Sequence, residues 1–159
     1  MKYASIVPLI GGATIAMQNV LQRKPEYIIS YDDFKANDNH LVEYYKGTVP
    51  YYLYGDNGTP NLPSAEVINT VCPCAGLSSL SPTASSDAAA NDWMLTTADF
   101  VLGTLKPQVL WGENAPGLAS NIGRPVVRKL RKNAVSCGYT FSIYKTKSIL
   151  HGLGQVRNR

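Results

Sequence analysis

At 159 residues and 45% apolar content, with no low-complexity tract, the chain is sized for one globular domain with a real core, which excludes a disordered or fibrous polypeptide. Its net charge of +4 is uneven: residues 1–113 carry six Lys/Arg against eleven Asp/Glu, whereas residues 114–159 carry nine Lys/Arg and no Asp/Glu. A basic third of this kind is a candidate for phosphate contact, or simply a solvated basic helix over Arg128 to Lys132.

The predicted elements alternate. Met1-Lys2 and the apolar run Tyr3 to Ala16 have the outline of a signal peptide, but Pro8, Gly11 and Gly12 interrupt it and no small-x-small cleavage site follows. The run reads instead as a buried strand over Tyr3 to Val7, a glycine-bearing turn over Pro8 to Gly12, and a helix over Ala13 to Arg23 that stops before Pro25. Tyr27 to Tyr31 is a second strand, and Asp32 or Asp33 is placed to cap a helix running to about Tyr45. Val49 to Tyr54 is a third strand, closed by Gly55-Asp56-Asn57-Gly58. Val67 to Val71 is a fourth, followed by a long Ser/Ala/Thr/Pro loop from Cys72 to Asn91. Trp93 to Leu105 is helical, Val109 to Trp111 a fifth strand, Arg128 to Val135 a helix stopping at Gly138, and Tyr139 to Tyr144 an alternating sixth strand. This order implies an α/β fold with a doubly wound, mostly parallel sheet and helices on both faces. Ligands of such sheets bind beyond the carboxyl ends of the strands. No stretch is long and apolar enough to span a membrane.

The chemically suggestive residues fall at those carboxyl ends. Gly11-Gly12 before a helix allows a ligand close to backbone amides, or serves as a packing turn. There is no GxGxxG and no Walker lysine, so neither a dinucleotide nor a nucleoside triphosphate is favoured. Asp32 or Asp33 suits ribose hydroxyls or a helix cap. Asp56 suits an adenine amine or an Asp-Asn-Gly turn. Three cysteines is an odd number, and Cys72 and Cys74 are too close in sequence to staple a fold, which suits a reducing compartment and a thiol kept for reactivity. Cys74, in a Pro-Cys loop after a buried strand, is exposed enough to react. A metal site is not expected, because no second cysteine pair exists and His40 and His151 have no ligand-like spacing. Glu113, on the end of the fifth strand, suits a general acid, with Asn114 beside it to orient it or the loop. The chain closes on Gln155-Val156-Arg157-Asn158-Arg159, where two arginines at alternate positions share a side if the backbone is extended, and suit phosphate or a polar base edge.

Together these segments resemble the cytosine-C5 DNA methyltransferase family. Pro73-Cys74-Ala75-Gly76-Leu77-Ser78 resembles its Pro-Cys-Gln-Gly-Phe-Ser loop, Glu113-Asn114-Ala115 its Glu-Asn-Val motif, and Gln155 to Arg159 its Gln-x-Arg-x-Arg motif. Gly55-Asp56 resembles the Gly-Asp that contacts the adenine of S-adenosylmethionine, and Ile10-Gly11-Gly12 the tail of the first cofactor motif. The motifs stand in the family's order and cover essentially the whole chain. Departures are Ser5-Ile6-Val7-Pro8-Leu9 where the family has Asp-Leu-Phe-x-Gly, Ala75 in place of glutamine, and Leu153-Gly154 in place of Gly-Pro.

The resemblance implies a Rossmann-like S-adenosylmethionine-dependent methyltransferase fold, with catalytic residues Cys74, Glu113, Arg157 and Arg159. It implies cofactor contacts from Ile10, Gly11, Gly12, Asp32, Asp56 and Pro73, and positioning by Asn114 and Gln155. The substrate it implies is a cytosine flipped out of DNA. The family's chain continues past Gln-x-Arg-x-Arg into a last strand, a target recognition domain and a final helix. The expectation is therefore a C-terminally incomplete catalytic domain over residues 1–159, with those parts absent or supplied by a second polypeptide. A cytoplasmic location, in a bacterial or phage-infected cell, goes with this reading. Two alternatives stand beside it: a non-catalytic cofactor- or DNA-binding remnant or subunit, and an RNA cytosine-C5 methyltransferase.

Overall fold

The computed structural model describes residues 1–54, 61–78, 81–152 and 154–155. It contains two compact units, Met1–Val71 with Leu105–Gly112, and Cys72–Thr104 with Glu113–Arg159.

The first unit holds a five-stranded sheet. Its strands are β1 (Tyr3–Ile6), β2 (Ile28–Ser30), β3 (Tyr51–Leu53), β4 (Val67–Thr70) and β5 (Val109–Gly112). They run in the order β3-β2-β1-β4-β5, and every pair is parallel. This is the doubly wound α/β architecture, with the order reversing between β1 and β4. β1, β2 and β4 are buried along their whole length, as strands covered on both faces are, and carry Ser5, Ser30, Asn69 and Thr70 among their apolar residues. Each observed strand falls within a residue or two of its expected bounds.

Helix α1 (Gly12–Leu21) and helix α2 (Asn39–Tyr45) belong to this unit. Leu41 and Tyr45 of α2 pack with Ile28 of β2, flanked by Ile15, Val49 and Tyr51. Where β1, β4 and α1 meet, the interior carries a buried polar seam. Ser5 pairs with Asn69 in the ladder. The Ser5 hydroxyl donates to Asn69 Oδ1 at 2.6 Å, and its oxygen lies 2.8 Å from Thr14 Oγ1. With its own proton committed to Asn69, Ser5 accepts from Thr14. Burial pushes the Tyr27 phenol up to about 12, with the Glu26 charge adding to the effect.

The expected cap at Asp32 is not formed. The residue before the first turn is Tyr31, with no side-chain cap, and residues Asp32–Asp38 form a 3-10 helix leading into α2. Asp32 lies inside the turn, where its carboxylate reaches Lys35 Nζ three residues on, at 2.6 Å.

The second unit is built on helices α3 (Asp92–Phe100) and α4 (Arg124–Ser136), which pack against each other. α3 continues as a π-helical turn over Val101–Leu105. α4 begins four residues earlier than expected, with Pro125 in its first turn, where the missing N–H costs nothing. It buries Val126, Leu130 and Ala134, one apolar stripe at i, i+4 and i+8.

The sixth strand is not present: residues 139–146 have no regular structure. The physical reason lies at the end of α4. Gly138, at φ +85°, ends the helix in a Schellman turn, with Gly138 N–H on Val135 O and Tyr139 N–H on Ala134 O. The chain then folds back, and the Phe141 ring lies under the Arg131 guanidinium at 5.6 Å. Phe141 thus lies on α4 instead of in a strand, while Ile143 and Tyr144 stay exposed.

Candidate functional site

The sheet's carboxyl end carries the first group of candidate residues. After β1 the backbone is contorted: Val7 and Leu9 have φ of 50° and 51°, in the left-handed region where side chains other than glycine are strained. Leu9 occupies the place where the resembled family has glycine. Such strain costs on the order of 1–3 kcal/mol per residue and collects at functional loops. Gly11, at φ +82°, caps α1 and lies directly against Leu41; a Cβ there would overlap the Leu41 side chain. Gly12 is exposed, with nothing within 4 Å of the place its Cβ would take, and Ile10 is 74% exposed. The packing role therefore falls to Gly11 and the open approach to Gly12.

Asp38, which the sequence reading missed, is fully buried in this unit. Loss of hydration raises its carboxyl above the usual range, while hydrogen bonds from the Tyr51 hydroxyl at 2.9 Å and from the Leu9 backbone N–H oppose the shift. It thus ties the strained β1 loop to β3. No sequence signal marks it, since three aspartates stand within seven residues and only the fold separates the buried one. Asp32 is exposed and paired with Lys35. Asp56 lies outside the described residues.

The second unit carries the candidate nucleophile. Cys72, Cys74 and Cys137 are all free thiols. Cys72 is buried, with Sγ 3.6 Å from Thr97 Oγ1 and 3.8 Å from Trp93 O, so it anchors the loop on α3. Cys74, two residues on, is exposed. The loop between them is fixed at several points. The Asn114 amide donates to Cys72 O at 3.2 Å, and Asn114 Oδ1 accepts the Ala115 N–H at 2.8 Å. Leu77 N–H closes a turn on Cys74 O at 2.9 Å. Glu113 is half-buried, and its Oε1 is shielded from solvent. Asn114 therefore joins the Glu113 segment to the loop that bears Cys74.

Two further supports were not legible beforehand. Asn91 is buried and its amide donates to Ser85 O and Ser86 O, holding the long loop, while its Oδ1 sits 2.5 Å from where a Gly76 Cβ would be. Gly117, in the 3-10 turn Pro116–Ala119, lies against the Leu77 carbonyl, which a Cβ would overlap. Pro73 is half-buried and Gln155 is exposed. Arg157 and Arg159 lie outside the described residues. Among the described residues no three His, Cys, Asp or Glu side chains cluster, and no helix is long and apolar enough to cross a membrane.

The parallel sheet with its β1–glycine–α1 junction defines a Rossmann-like α/β protein. A protein of Pyrococcus horikoshii proposed to be an RNA methyltransferase has the same fold, with a TM-score of 0.52 at 16% identity over 91% of this chain. The chain spans 61% of that protein's length. No protein-family model matches the sequence, and no curated protein matches it.

Proposed function

We propose that the chain is the catalytic part of an S-adenosylmethionine-dependent methyltransferase acting on C5 of cytosine in DNA. The observation that carries this reading is the Asn114 bridge: one side chain joins the Glu113 segment to the loop that presents Cys74 to solvent, while its neighbour Cys72 is sequestered. The Rossmann-like fold and the open approach over Gly12 support the cofactor assignment. The group would be held by Ile10, Gly11 and Gly12, with Asp32, Asp56 and Pro73. When bound, S-adenosylmethionine supplies an electrophilic methyl group.

In this reading the Cys74 thiolate adds to C6 of an extruded cytosine, forming an S–C6 bond. The displaced electron pair moves toward N3, where Glu113 donates a hydrogen bond or proton and stabilises the adduct. C5 becomes nucleophilic and would take the methyl group from the sulfonium sulfur of the cofactor, which would leave as S-adenosylhomocysteine. Loss of the C5 proton to a solvent base then breaks the S–C6 bond and expels the thiolate, and return of any N3 proton to Glu113 restores the neutral aromatic ring. Asn114 and Gln155 position, and Arg157 and Arg159 contact phosphate and base edge. A second polypeptide carrying target recognition completes the proposal.

5-Fluorocytosine tests it, because a fluorine at C5 blocks the final elimination and traps the adduct. With S-adenosylmethionine and a complementing recognition polypeptide, Cys74 forms a covalent complex with 5-fluorocytosine DNA. Cys74→Ser abolishes that complex, and Cys72→Ser and Cys137→Ser leave it intact. An adduct that survives Cys74→Ser sinks the mechanism. Calorimetric titration of S-adenosylmethionine separates the enzyme from a cofactor-free remnant. The description of the Pyrococcus protein favours one second reading, an RNA substrate. The same trap in 5-fluorocytosine RNA decides between them.

A further inference from the structure

The exposed face of α4 has a charge pattern that the chemistry at Cys74 does not use. Opposite the buried stripe of Val126, Leu130 and Ala134, residues Arg124, Arg128 and Lys132 recur at i, i+4 and i+8 and are all exposed. At 1.5 Å per residue they line about 12 Å of surface, a span matching three to four phosphates along one nucleic-acid strand. Beside this row runs an open groove of about 660 Å³, lined by Ser120, Asn121, Arg124, Val127, Ile143 and Lys145. Arg124 belongs to both features, and its guanidinium is steadied by Asn121 Oδ1 at 2.7 Å.

Among the described residues no carboxylate pairs with these cations. Residues 114–159 contain no Asp or Glu. Among the described residues the ion pairs are Met1–Glu66, Arg23–Glu26, Lys35–Asp32 and Lys46–Glu43, all within residues 1–66. Apolar side chains are interleaved with the charge: Ile143 is 42% exposed and Tyr144, next to Lys145, is 84% exposed. Cations spaced along a helix, a groove with apolar lining, and an exposed tyrosine ring together match a backbone of regular negative charge with stackable bases.

We propose that the Arg124–Arg128–Lys132 row and the groove beside it form a docking surface for the phosphate backbone of a nucleic-acid strand. It shares the nucleic-acid substrate of the function proposed above but stands on charge and shape, not on the reactivity of Cys74. The test therefore uses the full chain carrying Cys74→Ser, without S-adenosylmethionine.

Affinity for a fluorescent DNA duplex is measured by anisotropy across about 50 to 200 mM salt, where counterion release dominates. Each lost phosphate contact lowers the log–log salt slope by about 0.9, so Arg124→Gln/Arg128→Gln/Lys132→Gln lowers it by roughly 2–3 and weakens binding at least about tenfold at low salt. Lys24→Gln, on the acidic part of the chain, leaves the slope unchanged. Tyr144→Ala weakens binding to the corresponding single strand, whose bases are free to stack, about fivefold or more with little change in slope. Circular dichroism confirms that the variants are folded. A triple variant with the parental slope overturns the proposal, as does an equal loss from Lys24→Gln. Binding to phosphatidylserine vesicles with the same triple-variant dependence, and none to the duplex, also overturns it. Should the 5-fluorocytosine adduct fail while the salt slope behaves as stated, the enzyme reading falls and this surface stands.

Discussion

Replacing Gly117 with alanine asks one methyl group to share space with the Leu77 backbone. The new carbon would overlap the Leu77 carbonyl oxygen and lie 2.9 Å from the carbonyl carbon. The obstacle is main chain, so no rotamer relieves it, and either the Pro116–Ala119 turn or the end of the Cys74 loop must move. Overpacking of this kind costs about 1–3 kcal/mol. Against it stands a gain of about 0.4–1 kcal/mol, because alanine restricts the unfolded chain more than glycine does. The net expectation is a loss of about 1–2 kcal/mol, a fall in the urea midpoint of roughly 0.5–1 M at an ordinary slope. Gly103→Ala is the matched control: it sits in the π-helical turn after α3, with nothing within 4 Å of the added carbon, and should gain about 0.4–1 kcal/mol. Urea unfolding followed by circular dichroism reads both, and the alkylation rate of Cys74 reads the loop. If Gly117→Ala unfolds at or above the parental midpoint while Gly103→Ala is stabilised, the turn does not hold the loop by contact and the reasoning is wrong.

Asn114→Ala strips the acceptor from Ala115 N–H and the donor from Cys72 O, and should lower stability by about 1–3 kcal/mol; equilibrium unfolding checks it. Under native conditions iodoacetamide should label Cys74 and Cys137 far faster than Cys72, as peptide mass spectrometry would reveal; equal labelling would contradict the burial of Cys72. Asp38 gives a pH signature. Its folded carboxyl titrates above the ordinary value of 3.8, so between that value and the raised one the folded state holds more proton than the unfolded chain. Stability then falls as pH rises through that window and is flat above it. Asp38→Asn should remove this decline, and unfolding midpoints measured across acid pH would contradict it if the slope persists.

The sheet was legible because β1, β2 and β4 are buried on both faces, and short apolar runs between turn residues leave few other readings. The error at Tyr139 to Tyr144 has a definite origin. Alternation alone does not require a partner strand: here Phe141 meets the Arg131 guanidinium on α4, and Ile143 and Tyr144 stay exposed. At the site, Cys74 and Asn114 were readable as local motifs, each within a few residues of a strand end, whereas the hydrogen bond from Asn114 to Cys72 O, 42 residues away, was not. Asn91, Gly117 and Asp38 were not, because each acts on a partner that only the folded chain brings near. Asp32 shows the converse: its position after β2 was read correctly, but its carboxylate pairs with Lys35 three residues on instead of capping the helix.

The hydroxyl of Ser5, held between Asn69 and Thr14, has a consequence for how the chain finds its fold. Where a strand is buried on both faces, apolar character cannot tell one alignment from the next, since a slip by one residue still buries hydrophobic side chains. The three-residue seam removes that degeneracy. Sliding β4 by one position against β1 would set Ser5 opposite Ile68 or Thr70 and leave Asn69 among apolar groups, at about 1–3 kcal/mol for each buried group without its partner. The central pair of the sheet thus admits one alignment during assembly, and the strand ends from which the Gly12 and Cys74 loops depart are fixed at that moment.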